Sequence, residues 1–335
     1  MTHNELSRDD VRGIAYAFQG SRALLTAFEL GVFTALGDGR RTSAEVALQI
    51  GTDPRATDRL MNALCALGIL GKEDGRFFNT EAARETLLPG AAGDPGSLMH
   101  TVHLWDTWST LTEAVRKGTS VLLPEVNERG RQWLTAFIAA MHDRASRQAP
   151  AVVSQMNLES VASVLDVGGG SGAYAMAFVR AKQGLRATIF DLPNVLPLTR
   201  SYIAREGLGH AVTTVEGDYL QDELPRGFDL VILTAIVHSN SPEENRALIA
   251  KCVRALNPGG MVAVQDFIMD DGRVHPAAGA LFALNMLVGT GRGDTFTESE
   301  IASWMTAAGL SGVSRQGTPF GTAQIVGHLR SSGGR

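Results

Sequence analysis

Apolar residues recur at helical spacing between Ile14 and Leu36 (Ile14, Phe18, Leu24, Leu25, Phe28, Leu30, Phe33), so this stretch predicts helix. Thr42-Ser43-Ala44-Glu45 sets a capping hydroxyl three residues before an acid and predicts a short helix through Ile50. A turn follows at Gly51-Thr52-Asp53-Pro54, then a helix from about Arg55 to Leu67 with Gly68 placed to end it. The segment from Gly71 to Phe78 puts a polar turn between two short apolar stretches and reads as a β-hairpin. Helix, turn, helix and hairpin together outline a winged helix. Residues 89–99 read as a loop by their Pro and Gly content, and helical runs continue to about residue 157.

The period then changes. Val161–Val167 is a short apolar run before a glycine-rich turn and a helix to about Lys182. Strands are predicted at Ala187–Phe190, Val212–Glu216, Phe228–Leu233 and Met261–Phe267, with helices at Leu196–Glu206 and Glu243–Leu256 between them. Alternating strands and helices predict a parallel α/β sheet. Gly312–Gly317 and Ala323–Leu329 are too close in sequence for a crossover and predict an antiparallel pair. Ser331–Arg335 reads as a loose tail.

Composition narrows the partners. Thirty Lys and Arg against 35 Asp and Glu give a net charge of −5, which attracts neither phosphate backbones nor anionic membranes. Within the winged helix, residues 40–85 hold seven basic and seven acidic residues, without the basic excess of a DNA-reading helix. No nucleic-acid partner is expected. No apolar run reaches about 18 residues and the first ten residues are polar, so neither a membrane span nor a signal peptide is expected. Cys65 and Cys252 sit in helix-like runs and read as packed thiols of a cytoplasmic protein, with no metal site.

Chemistry concentrates in Val164-Leu165-Asp166-Val167-Gly168-Gly169-Gly170-Ser171-Gly172, a strand, glycine turn and helix start. Glycines there let a ligand approach backbone donors at a helix N-terminus. Asp191 closes the next strand, where a carboxylate can accept both hydroxyls of a ribose. Gly168-x-Gly170-x-x-Ala173 also satisfies the dinucleotide pattern, so a nicotinamide-dependent reductase shares this signal. Gly217-Asp218-Tyr219 follows the third strand, and Asn257-Pro258-Gly259-Gly260 lies between a helix and a strand.

With these motifs and the closing antiparallel pair, the chain resembles class I S-adenosylmethionine-dependent methyltransferases. More closely it resembles the O-methyltransferase family of plant and bacterial secondary metabolism, with its acetylserotonin- and caffeate-type members. LDVGGGSG, FDLPNV, EGDYL, the His238 region and ALNPGG occur in that family's order. The resemblance implies a Rossmann-like α/β catalytic domain with an antiparallel C-terminal strand, preceded by a helical winged-helix dimerisation domain, and hence a homodimer. The implied division is a dimerisation domain over 1–95, a helical linker over 96–157 and a catalytic domain over 158–335. The cofactor implied is S-adenosylmethionine, leaving as S-adenosylhomocysteine, and the partner is a small, aromatic methyl acceptor.

Carried over residue by residue, Gly168 and Gly170 lie by the methionine part of the cofactor and Asp191 binds its ribose. Asp218 and Tyr219 flank the adenine, and Leu192, Gly217 and Thr234 complete the cofactor set. His238 takes the proton from the acceptor hydroxyl and Asp266 orients it. Histidine suits this work because imidazoles titrate near neutrality. His103, Trp105, Phe137, Met141, Asn285 and Met286 are candidates for the acceptor pocket, among helices rich in aromatic and Met side chains. Two departures stand out. His238-Ser239-Asn240 replaces the family's His-Asp-Trp, and Asp294 offers a second acid in uncertain register. Relatives on this scaffold also methylate carbon or nitrogen, so C-methylation is the first alternative; a ligand-responsive winged-helix regulator is a further one.

Overall fold

The computed structural model describes residues 5–88, 96–122 and 130–330, in two compact units, Met1–Trp105 and Asp106–Arg335. In the first unit the N-terminal apolar stretch forms three helices, α1 (Arg8–Tyr16), α2 (Phe18–Glu29) and α3 (Val32–Leu36). The chain breaks at Ala17 and again at Gly31, whose φ of 78° is left-handed. Periodicity alone could not show these breaks. Helix α4 (Ser43–Ile50) starts on the expected capping box, Thr42 with Glu45, and α5 (Pro54–Ala66) starts on Asp53.

Strands β1 (Leu70–Glu73) and β2 (Arg76–Asn79) form the antiparallel hairpin, and a bridge from Arg41 to Phe77 adds a rung beside it. Helix α6 (Glu81–Leu87) follows. Phe33, Leu36, Met61, Leu64, Leu70 and Phe77 make one core, so the winged helix is present as expected. Helix α7 (Gly96–Trp108) begins inside the stretch expected to be loop, whose residues 89–95 lie outside the described residues, as does the tail Ser331–Arg335.

The second unit opens with α8 (Leu111–Lys117) and the long α9 (Arg131–Ser154). Its α/β part runs β3 (Ser163–Val167), α10 (Ala173–Ala181), β4 (Arg186–Asp191), α11 (Leu196–Arg205), β5 (Val212–Glu216) and β6 (Phe228–Thr234). A 3-10 turn at Val237–Ser239, α12 (Pro242–Ala255), β7 (Leu256–Asp266), the short β8 (Ile268–Met269) and α13 (Ala277–Gly289) come next. The chain closes with β9 (Phe296–Thr297), α14 (Glu298–Ala307), β10 (Leu310–Gly317) and β11 (Ala323–Leu329).

The sheet order is β10-β11-β7-β6-β3-β4-β5, with β3 to β7 parallel and β11 antiparallel to both β7 and β10. Alternate residues fill opposite faces, as strand geometry requires. Leu165, Val231, Leu233, Val262 and Val264 pack on one side, and Val164, Ala187, Leu230, Ile232 and Ala263 on the other. Asn257–Gly260 corrects the sequence reading. The strand already pairs at Leu256, opposite Phe228, and the next pair is Leu230 with Met261, so the four residues bulge from the strand instead of preceding it. Cys65 and Cys252 are both free, and burial pushes the Cys252 thiol up to about 12. Among the described residues no helix is long and apolar enough to cross a membrane.

Candidate active site

The chain runs from β3 outward to β4 and β5, then returns to β6 on the other side of β3. Ligands of open α/β sheets bind at such a reversal, beyond the carboxyl ends of the strands. Gly168 occupies that point with φ +67°, and a Cβ there would stand 2.4 Å from Ile236 Cδ1. The left-handed backbone favours glycine, and a Cβ would also press on the movable end of Ile236. The Gly170 amide donates to Asp191 Oδ2 and the Leu192 amide to Oδ1, each at 2.7 Å. Asp191 is buried, and burial pushes its carboxyl up to about 6 against the pull of those two amides.

Beneath the loop, Asp166 takes one bond from the Ala175 amide at 3.2 Å. Its Oδ1 is buried with no hydrogen-bond partner among the described residues, and burial drives this carboxyl up to about 7. The Gly217 amide donates to the Asp191 carbonyl at 3.0 Å, and Asp218 Oδ1 accepts from the Leu220 amide. The Tyr219 ring stands 3.7 Å from the position a Gly168 Cβ would take, with its hydroxyl donating to Asn240 Oδ1 at 3.2 Å. Thr234 ends β6 opposite Gln265 and lines a small internal cavity with Val152 and Tyr174. Phe137, on α9, stacks on Trp133 at 5.1 Å and packs with Leu134, Ile138, Val195 and Leu192.

A second group gathers at the ends of β6 and β7. His238 Nδ1 stands 2.9 Å from both oxygens of Asp266, which is 3% exposed. An ionised carboxylate only accepts, so in the neutral imidazole this contact puts the proton on Nδ1 and leaves the Nε2 lone pair free. Asp266 also accepts from the Phe267 amide at 2.8 Å. Asn245 fixes the turn by donating to the Val237 carbonyl at 2.8 Å, and Asn240, 2% exposed, donates to Asn245 Oδ1. The residue in the family's Trp position is therefore a buried amide that braces the histidine turn.

Asp294 meets His238 through its backbone, whose amide donates to the His238 carbonyl at 3.0 Å. Its carboxylate instead accepts from the Thr295 amide and faces Arg273 at 3.6 Å. The Phe282 ring meets His238 edge-on at 4.8 Å. Met141 lies on α9, one turn beyond Phe137. Asn285 accepts from Trp108 Nε1 at 2.9 Å, and Met286 beside it is buried. His103 and Trp105 belong to the first unit, where the Arg22 guanidinium lies over the Trp105 ring.

Residues 108–311 match the O-methyltransferase domain, and residues 13–89 match the O-methyltransferase dimerisation domain. The chain belongs to the O-methyltransferase family. The enzyme is 34% identical to 3-hydroxy-5-methyl-1-naphthoate 3-O-methyltransferase of Streptomyces sahachiroi, over 88% of this chain and 86% of that one. It is 33% identical to the tetracenomycin polyketide synthesis 8-O-methyl transferase of Streptomyces glaucescens, over 91% of each. Among solved structures, PigF with S-adenosylhomocysteine matches with a TM-score of 0.89 at 25% identity, covering 96% of this chain and all of that one. PigF is an S-adenosylmethionine-dependent methyl transferase of Serratia.

The enzyme is thus an S-adenosylmethionine-dependent O-methyltransferase, and its glycine turn suits that cofactor. Left-handed glycine at 168 keeps the turn free of a side chain, and Asp191 keeps lone pairs beyond those used by its two amides. Sequence reasoning noted Asn240 only as a departure from the family and passed over Phe267, Phe282 and Arg144, which join the site through contacts distant in sequence. Only Asp166 had a usable local signal, an acid buried in the middle of an otherwise apolar strand.

Proposed function

We propose that the enzyme methylates a hydroxyl of a small aromatic secondary metabolite, with His238 as the base and Asp266 orienting it. The observation that carries this reading is the pairing of His238 Nδ1 with Asp266 at 2.9 Å, which leaves Nε2 as proton acceptor. Bound S-adenosylmethionine supplies a methyl group on a positively charged sulfur, already activated for displacement. Gly168, Gly170, Asp191, Leu192, Gly217, Asp218, Tyr219 and Thr234 would hold it, with Asp191 placed to accept from the ribose hydroxyls. His238 Nε2 accepts the proton as the acceptor's O–H bond breaks, and Asp266 stabilises the resulting imidazolium. Phe137, Met141, Asn285 and Met286 line the acceptor side. Holding the acceptor hydroxyl against His238 would contribute to the rate by fixing its orientation.

The dimerisation domain supports a homodimer. Helix α1 buries none of its residues and exposes Val11, Ile14 and Tyr16, an apolar surface suited to a second copy. A cytoplasmic enzyme fits the two free thiols. Methyl transfer to a panel of phenols, with the methylated atom located by NMR, tests the reaction. Methyl on carbon would select the alternative reading, and full turnover by His238→Ala at neutral pH would remove the base.

A further inference from the structure

Arg144 stands on α9, one turn beyond Met141, and is half-buried. Its guanidinium lies 4.9 Å over the ring of Phe267. Phe267 follows Asp266 directly and packs at 4.7 Å on Phe282, whose ring meets His238 at 4.8 Å. Three ring contacts, each under 5 Å, connect the guanidinium to the imidazole. Neighbouring arginines are occupied: Arg147 pairs with Asp143, and Arg273 with Glu300 and the Thr295 carbonyl. Among the described residues, no carboxylate pairs with Arg144 and no carbonyl accepts from it. An aromatic face attracts a guanidinium but satisfies none of its five donors. Half-burial without a counter-ion has a desolvation cost that a bound anion would offset.

We propose that Arg144 receives a carboxylate of the methyl acceptor, so that the substrate is a hydroxyaryl carboxylic acid. This rests on the reading of an aromatic acceptor at His238. The planar, two-pronged guanidinium matches a carboxylate in shape, and the stacked Phe267 holds it flat at the edge of the aromatic wall. The methionine tail of the cofactor is the other carboxylate available. Its surroundings favour the acceptor, because Phe267 directly follows Asp266 and packs through Phe282 on His238, the group proposed to receive the acceptor's proton.

The test is calorimetry on the full chain saturated with S-adenosylhomocysteine, titrated with 3-hydroxybenzoate and 3-hydroxy-2-naphthoate and with the primary amide of each. An amide keeps the shape and removes the charge. Wild type should bind an acid about ten- to a hundredfold more tightly than its amide, the range of a charge-assisted pair. Arg144→Ala should bring that ratio close to one, and Arg144→Lys should restore part of it through charge without the paired donors. A wild-type ratio near one, failure of both acids to bind, or a ratio that survives Arg144→Ala overturns the proposal. Loss of S-adenosylhomocysteine affinity in Arg144→Ala, by about tenfold or more, would give the carboxylate to the cofactor and also overturn it. Failure of the hydroxyl-transfer reading shows separately, as acid preference retained with no oxygen-methylated product.

Discussion

The two halves of the catalytic sheet are built by different means. At the ends of β3, β4 and β5 the site is made of backbone: a glycine turn, amides of Gly170 and Leu192, and one carboxylate that they hold. At the ends of β6 and β7 it is made of side chains, with His238 on Asp266, Phe282 on His238 and Arg144 over Phe267. Backbone geometry tolerates almost no substitution, which suits a ligand common to a whole family. Side chains can be exchanged singly, which suits an acceptor that differs from one enzyme to the next. The contrast predicts that mutations in the two halves will separate cofactor binding from turnover.

The largest separation should come from His238→Ala. Turnover should fall by about 10²–10⁴-fold, the usual contribution of a general base, with S-adenosylhomocysteine affinity retained. The deficit should shrink as rising pH ionises a phenolic acceptor without help, read as kcat against pH. Asp266→Asn should lower kcat in the same direction by less, through a misoriented imidazole, and a loss larger than that of His238→Ala would contradict the proposed roles. Asp191→Ala should show the opposite pattern. Its affinity for S-adenosylhomocysteine should drop by roughly ten- to a hundredfold, because two hydroxyls lose a charged acceptor. Equal effects of His238→Ala and Asp191→Ala on both quantities would erase the distinction between the halves.

The same contrast governs what the sequence could reveal. The glycine-turn half is local: glycines and acids at fixed offsets from strand ends mark a nucleotide-binding end, a signal that a dinucleotide site would share until the rest of the chain is read. The hairpin, the capped helices and the antiparallel C-terminal pair were legible for the same reason. The acceptor half depends on contacts between segments far apart, and His238 with Asp266 was found only through family resemblance. Nothing in a single apolar helix such as α13 marks Phe282 as the residue that meets His238. Asp294 shows the limit most directly, since it was read as a second acid in uncertain register but its backbone meets the His238 turn. Periodicity could not place the break at Gly31, where left-handed backbone interrupts a continuous apolar pattern, nor the bulge at Asn257–Gly260, where a strand starts before its glycines.

The smallest expected effect concerns stability, and it tests whether the cofactor half retains an uncompensated charge. Burial raises the Asp166 carboxyl to about 7, and its Oδ1 has no partner among the described residues. A carboxyl raised on folding binds its proton more tightly in the native chain than in the unfolded one. Its stabilising contribution is therefore complete below about pH 4, the ordinary carboxylate range, and is lost as pH rises through about 7. Asp166→Asn keeps an oxygen for the Ala175 amide, places an uncharged amide at the unpartnered position and removes the titration. Without cofactor, the variant should match wild type near pH 4 and melt a few degrees higher by about pH 8, on the order of one or two kcal/mol in a chain of this size. The measurement is the difference in Tm between the two proteins across that range. A difference that stays flat, or shrinks as pH rises, would mean that Asp166 is not held protonated by burial and that the glycine turn carries no such penalty.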